Sequence, residues 1–244
     1  MDTGLDDKIQ QYLNLLPKAD PNKAVFLLRK LEGKGKNKRG ISQQIFPLLY
    51  HDHYLVRSRA FITMGRLEDK SVSYRLVAYI GEDVGEEWQI RALECLFYLK
   101  DQEVVPKLAD FLSNIQCPLL VRGVVWLMGY LGGKEALDKI VSFAISPLGR
   151  IVKNEVILEA VSLAIHSFND GSAYFQELKR KNPIAERYFR YCVFDDSAAQ
   201  PRFSVLPYPD YFLDQALSRG IYPRVFKKLS YWDRDSHGKK EYVL

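Results

Sequence analysis

Few residues of this 244-residue sequence combine the side chains and the spacing that metal binding needs. The tripeptide His51-Asp52-His53 contains the one close pair of histidines. Zinc sites join such a pair to a second cluster of Cys or His at a characteristic spacing, and no second cluster complements this pair. We therefore predict a solvated turn at this tripeptide, and neither a metal site nor a bound cofactor.

Nucleophilic catalysis finds equally little support. Cys95, Cys117 and Cys192 lie in separate segments with no obvious histidine partner, so we expect buried or half-buried core thiols. The nucleophile motif Gly-x-Ser-x-Gly and the phosphate-binding glycine loops do not occur, and the basic segment 33–40 lacks the Walker spacing. The sequence therefore favours a protein that is not an enzyme.

The elements that position the remaining polar residues are helices. Val104, Leu108, Phe111 and Leu112 fall at i, i+4, i+7 and i+8, which is the spacing of one helix face. No segment alternates strictly between apolar and polar residues, as a half-buried strand would require. The pattern predicts an all-α fold.

The helices recur with a fixed period. Leu67, Leu99 and Leu131 lie 32 residues apart, and each closes an apolar segment that a short polar turn follows. A fourth unit over residues 151–168 fits if residues 146–149 are an insertion. Such a period indicates stacked supersecondary units, so we predict an α-solenoid of about four to five helix pairs.

Residues 41 to about 170 resemble the HEAT repeat. The matching residues are Pro47-x-Leu49, Asp52, Val56-Arg57, Ala60 and Gly65-x-Leu67, with a second set at Pro106-x-Leu108, Val121-Arg122 and Gly129-x-Leu131-Gly132. The short units and the Val-Arg and Gly-x-Leu-Gly signatures are similar to the bacterial HEAT-like group that includes phycobilin lyase subunits. The second unit departs from the pattern with Phe97 and Leu99, and the fourth has Lys153 in place of arginine.

The resemblance also implies roles for particular residues. In HEAT-like units the arginine at Arg57 and Arg122 bonds to a loop or to an Asp of the neighbouring unit, and so aligns the stack. A ligand-facing role for these two residues and the nearby Arg91 is the alternative.

In such solenoids the second helix of each pair lines the concave face, and we expect one exposed stripe along these helices to bind a partner. The stripe consists of Arg59, Thr63 and Arg66 in the first unit, Arg91, Glu94 and Tyr98 in the second, Gly123, Trp126 and Tyr130 in the third, and Glu159, Ser162 and His166 in the fourth. Tryptophan, tyrosine and arginine dominate the binding energy of protein interfaces. Trp126 either forms a shallow pocket with Tyr130 or packs against the adjacent repeat.

Two flanking regions differ from the repeats. Residues 1–40 are predicted to form an N-terminal helical cap, with helices at 5–16 and 21–31 and a flexible basic loop at 33–40. Residues 184–244 form an extension with 13 aromatic residues in 61, too many for a disordered tail. This extension either covers the last repeat, crosses the concave groove or docks into another protein.

Charge and composition exclude several classes of protein. The central residues 41–183 carry 16 Lys and Arg against 17 Asp and Glu, whereas a nucleic-acid binder concentrates basic charge on one face. No apolar run approaches the ~18 residues that span a bilayer. The acidic N-terminus has no apolar core, which predicts no secretory signal, and the scattered cysteines favour the cytoplasm.

These observations together predict a non-enzymatic scaffold or adaptor that binds another protein through a curved helical surface. The resemblance leaves two alternatives open. One is a subunit like the phycobilin lyases, or a chaperone, that holds a tetrapyrrole or a client protein. The other is a nucleic-acid binder like the HEAT-like DNA glycosylases, with Trp126 and Glu159 facing a groove, although the near-neutral centre disfavours it. The sequence does not define the oligomeric state.

Overall fold

The structure, a computed structural model, describes residues 7–114, 117–152 and 154–190. These residues form twelve α-helices and five short 3₁₀ segments and include no strand, which confirms the prediction of an all-α fold for this part of the chain. The extension predicted over residues 184–244 lies outside the described residues from residue 191 onward.

The chain divides after Asp101 into two compact units. The helices of the first unit are α1 (Asp7–Leu15), α2 (Pro21–Gly35), α3 (Ile41–Ile45), α4 (Tyr54–Leu67), α5 (Ser73–Ile80) and α6 (Glu86–Leu99). The helices of the second unit are α7 (Val105–Leu112), α8 (Pro118–Leu131), α9 (Gly133–Ala144), α10 (Asn154–His166), α11 (Gly171–Lys181) and α12 (Pro183–Tyr188). Each unit is described separately below.

Helix boundaries repeat every 32 residues. Helices α4, α6 and α8 are each 14 residues long, and they end at Leu67, Leu99 and Leu131 as predicted. Helices α5 and α7 are each 8 residues long and begin at Ser73 and Val105. The same backbone design therefore recurs from one helix pair to the next.

The residue after each closing leucine ends its helix. Glu68, Lys100 and Gly132 have φ values of 56°, 51° and 75°, which a right-handed helix cannot continue. Two of these three positions are not glycine, although the left-handed region favours glycine. At each of these residues the backbone N–H still bonds to a carbonyl of the last turn, namely Gly65, Leu96 and Met128, so the left-handed residue caps the helix that it ends.

The first two helices follow the prediction, with one correction. Asp20 caps α2 by accepting a hydrogen bond from the Lys23 backbone N–H at 3.0 Å, and Pro21 occupies the first helical position. The predicted basic loop at 33–40 is wrong for residues 33–35, because α2 continues to Gly35. A side chain at Gly35 would stand 2.7 Å from Ile41, so glycine there allows close packing rather than ending the helix.

Asp69 fixes the start of the second helix pair. Its Oδ2 atom accepts hydrogen bonds from the backbone N–H groups of Gly40 and Ser42 at 2.8 and 3.0 Å. Its Oδ1 atom accepts a third from Ser71 N–H at 3.2 Å. One buried carboxylate therefore binds the N-terminus of α3 and the turn that follows α4.

In the first unit the second helices of successive pairs lie side by side. Helix α4 packs against both α2 and α6, while α3 and the 3₁₀ segment Phe46–Tyr50 pack against α4 and α5 packs against α6. A helix with neighbours on several sides must be apolar around most of its circumference. This arrangement determines how much of each second helix reaches the surface.

The second unit is built in the same way. Helix α8 packs against α10, α7 against α8 and α9, and α9 against α10. The predicted insertion before the fourth repeat contains a 3₁₀ segment at Pro147–Ile151. The second helix of that repeat, α10, ends at His166. Helix α12 packs on α11, where the rings of Phe175 and Phe189 meet at 5.4 Å.

No helix among the described residues is both long enough and apolar enough to cross a membrane.

Candidate functional site

The three stripe residues on α4 surround a carboxylate that is not among the predicted site residues. Glu32, on α2, accepts hydrogen bonds from Arg59 Nη2 at 2.6 Å, Thr63 Oγ1 at 2.8 Å and Arg66 Nη1 at 2.9 Å. All three donors lie on α4. Two charge-assisted hydrogen bonds and one neutral hydrogen bond therefore connect the second helices of consecutive pairs.

Helix α6 contributes a buried ion pair. Arg91 Nη1 lies 3.1 Å from Glu94 Oε2, three residues further along the same helix, and about 1% of each side chain is exposed. The neighbouring thiol of Cys95 is also buried, and this burial, together with the Glu94 charge, raises its pKa. A raised pKa keeps the thiol protonated, which is the state of an unreactive core cysteine.

The two aromatic residues of the third trio, Trp126 and Tyr130, lie in the second compact unit. The rings of Trp126 and Tyr130 stack with centroids 5.4 Å apart and an interplanar angle of 11°. Both residues lie on α8, and the facing helix α10 carries Glu159 and His166. The His166 ring Nδ1 lies 2.8 Å from the Ser162 carbonyl oxygen, which holds the imidazole against the end of its own helix.

The expectation that the whole stripe is exposed is wrong. Only 5% of Arg59 and 2% of Trp126 are exposed. In each of the four trios the first two residues are buried and the third is half-buried. The buried residues are Arg59, Thr63, Arg91, Glu94, Gly123, Trp126, Glu159 and Ser162. The reason is that α4 is covered by α2 and α6, and α8 and α10 cover each other.

The half-buried residues form a regular set. They are Arg66, Tyr98, Tyr130 and His166, and we call them the terminal row. Arg66, Tyr98 and Tyr130 are the last residue but one of α4, α6 and α8, and His166 is the last residue of α10. The first two belong to the first unit and the other two to the second.

Arg57 contacts the next helix pair as predicted, but through aromatic residues and not through a loop or an Asp. Its Nη2 atom donates to the Tyr79 hydroxyl, and its guanidinium carbon lies 4.2 Å from the Trp88 ring centroid. The Tyr79 hydroxyl donates to the Leu49 carbonyl at 3.1 Å. Because Tyr79 lies on α5 and Trp88 on α6, Arg57 connects α4 to the next helix pair through aromatic rings.

The histidine pair lies where the sequence predicts. Residues 51–53 connect the 3₁₀ segment to α4, with Asp52 and His53 exposed, and His53 N–H donates to His51 Nδ1 at 2.9 Å. Among the residues that the structure describes, no group of three or more His, Cys, Asp or Glu side chains could hold a metal ion. Cys95 is buried and Cys117 half-buried as expected, and Cys192 lies outside the described residues.

The sequence pattern does not single out Glu32, because residues 1–40 differ from the repeats and are predicted to form a cap. The signal was available, since α2 is the second helix of its pair and Glu32 lies 27 residues before Arg59. A carboxylate near the end of one second helix can therefore meet an arginine near the middle of the next.

No protein-family model matches the sequence, and no curated protein matches it.

Proposed function

We propose that this protein is a non-enzymatic scaffold built as a HEAT-like α-solenoid, and that it binds another protein through the terminal-row residues of its first unit, Arg66 and Tyr98. The observation that carries the proposal is the 32-residue recurrence of helices α4, α6 and α8, with a large polar or aromatic side chain at the same half-buried position of each. Repeated helix pairs provide an extended surface, and such a surface is the usual binding site of solenoid proteins.

Contacts between successive pairs support the solenoid. Tyr50 donates to Glu82 across 32 residues, and Tyr174 donates to Asp138 across 36 residues. Each hydrogen bond lies within one unit and spans about one repeat. Each bond therefore joins one helix pair to the next within its unit, as expected of a repeat protein.

The buried stripe residues have a supporting role in this proposal. Arg59 and Arg66 both donate hydrogen bonds to Glu32, and the ring of Trp126 stacks on the ring of Tyr130. A contact residue held by its neighbours loses less rotamer entropy when a partner binds. Arg66 and Tyr130 are therefore more rigid than fully exposed side chains would be.

The burial of Trp126 counts against a tetrapyrrole or nucleic-acid site on this ring, whereas a chaperone that holds a client protein stays an open alternative. A tetrapyrrole or a nucleobase would need the open face of this ring, and only 2% of Trp126 is exposed. Glu159, which the nucleic-acid alternative places in a groove, is buried as well. Protein binding through the terminal row needs neither side chain at the surface.

Affinity capture from the source cells tests the proposal. The wild-type chain, Tyr98→Ser and the control Tyr74→Ser serve as bait, because Tyr74 is an exposed tyrosine on α5 outside the terminal row. We expect Tyr98→Ser to lose a partner that wild type and Tyr74→Ser retain, with circular dichroism confirming that all three are folded. Equal retention by all three baits would contradict the proposal.

A further inference from the structure

A second surface lies on the first unit beside the first turns of α4 and α6, whereas Arg66 and Tyr98 lie in the last turns of these two helices. It is formed by two exposed tyrosines, Tyr50 and Tyr54, on either side of the turn at residues 51–53, and by Glu82 and Glu87. We call these four residues the tyrosine–glutamate edge. Exposed fractions of 48% for Tyr50 and 41% for Tyr54 leave large parts of both side chains accessible to solvent.

Hydrogen bonds fix the edge. The Tyr50 hydroxyl donates to Glu82 Oε2 at 2.9 Å, and the Tyr54 hydroxyl donates to Glu87 Oε1 at 2.7 Å. Each bond joins a tyrosine at one helix pair to a carboxylate at the next. A carboxylate is thereby held at the rim of each phenol ring, and both carboxylates retain acceptor capacity beyond the tyrosine bond.

The rings are held from behind by other aromatic residues. The Tyr50 ring meets the Tyr79 ring at 5.2 Å, and the Tyr54 ring meets the Trp88 ring at 5.2 Å. The Trp88 ring that contacts Tyr54 also makes a cation–π interaction with Arg57, whose guanidinium carbon lies 4.2 Å from the Trp88 centroid. The edge is therefore a rigid surface rather than two mobile side chains.

The charge of this region is opposite to that of the whole chain. Residues 82–87 carry four carboxylates and no Lys or Arg, whereas the chain has a formal net charge of +5. Two arginines of the first unit already face rings, Arg57 at 4.2 Å from the Trp88 centroid and Arg75 at 3.9 Å from the Phe46 centroid. Negative charge beside exposed aromatic faces is complementary to a cation that also has an apolar side.

We propose that the tyrosine–glutamate edge binds a basic segment of a protein partner, with arginine side chains lying on the tyrosine rings and bonded to Glu82 and Glu87. A guanidinium stacks on an aromatic face and binds a carboxylate in a bidentate manner at the same time. Nucleic acid is repelled by the four carboxylates of residues 82–87. The inference rests on the proposed protein-binding function and adds the chemistry of one partner segment.

Fluorescence anisotropy of the full chain with a labelled peptide of alternating arginine and glycine tests the inference. A peptide with glutamate in place of arginine is the reference probe. We expect the arginine peptide to bind and the glutamate peptide to fail. The double variant Glu82→Gln/Glu87→Gln should weaken arginine-peptide binding by about tenfold, because two charge-assisted contacts are lost.

A matched control separates local recognition from net charge. Asp110→Asn/Glu135→Gln changes the net charge by the same amount at exposed residues of the second unit, and should change the affinity less than about twofold. Tyr50→Leu keeps an apolar side chain but removes the ring, and should weaken binding about threefold.

The outcomes are distinct. Failure of the wild-type chain to bind the arginine peptide, or equal losses in the two double variants, overturns the inference. If that failure occurs while Tyr98→Ser still loses its captured partner, the basic-segment inference falls and the scaffold function stands. If Tyr98→Ser also keeps its partner, both fall.

Discussion

Glu32 illustrates how single residues hold the second helices together. Its carboxylate faces Arg59, Thr63 and Arg66 on α4, and only 11% of its side chain is exposed. A carboxylate with this little exposure is stable as a charge only because its hydrogen bonds replace water. The ion pair between Lys36 and Glu68 is a contrast, because both of its side chains are exposed to solvent.

The substitution Glu32→Gln should destabilise the protein by about 2 kcal/mol, because the buried Arg59 loses its opposing charge. Urea unfolding followed by circular dichroism measures the loss. Glu68→Gln is the control, and it should change the free energy of unfolding by less than about 0.5 kcal/mol since its ion pair is exposed. Equal effects of the two substitutions would contradict the role assigned to Glu32.

The raised pKa of Tyr50 should make the stability of the protein depend on pH. Burial and, next, the hydrogen bond to Glu82 raise the pKa of Tyr50 from 10.0 to about 12. Because the folded-state pKa is raised, the stabilisation is fully present below pH 10.0 and is lost as the pH rises through about 12. The ring ¹³C shifts of labelled tyrosine should include a resonance that titrates near pH 12, and this resonance should be missing from Tyr50→Phe and should titrate closer to pH 10.0 in Glu82→Gln. A spectrum of Tyr50→Phe that still contains this titration would contradict the assignment.

At the scale of the helices, the sequence predicts the ends of the second helices better than their surroundings. The spacing of Leu67, Leu99 and Leu131 indicates the last residues of α4, α6 and α8, because each is the final apolar residue before a polar turn. The length of α2 is not predictable in this way, since Gly33 and Gly35 have low helix propensity and only the packing of Gly35 shows why the helix continues.

The exposure of the stripe also depends on information that the sequence lacks. The helical spacing predicts that Arg59 and Trp126 face outward. They become buried because α4 has α2 and α6 as neighbours, and α8 has α10. Periodicity defines a helix face but not how many helices cover it, which explains why only the last residue of each trio was correctly expected to reach the surface.

Gly129 determines how closely α8 and α10 approach. A Cβ atom at this position would lie 2.5 Å from the Cα and carbonyl oxygen of Ala160, so Gly129→Ala should force the two helices apart and cost about 2 kcal/mol. Gly33→Ala is the matched control, because nothing lies within 4 Å of the added methyl group. That substitution should stabilise α2 by about 0.5 kcal/mol. Thermal unfolding compares the two variants, and a stable Gly129→Ala protein would contradict this close approach.

At the scale of the whole molecule, helices α4, α6 and α8 recur every 32 residues, and hydrogen bonds such as Tyr50 to Glu82 and Tyr174 to Asp138 join neighbouring pairs within each unit. Within one pair, Asp69 bonds the turn after α4 to the start of α3, and Gly133 N–H at the start of α9 donates to Ser167 Oγ after α10 at 2.6 Å. Stability in such an arrangement is a sum of contacts between neighbours. The surface positions that repeat with the same period are therefore the positions at which binding residues can vary without loss of the fold.

Site-specific photo-crosslinking tests this account most directly. Benzoylphenylalanine is placed at position 98 in one variant and at position 74 in another, in the source cells. Since Tyr98 belongs to the terminal row and Tyr74 does not, the account predicts a discrete covalent adduct with another protein from position 98 and none from position 74. No adduct from position 98, or the same adducts from both positions, would contradict it.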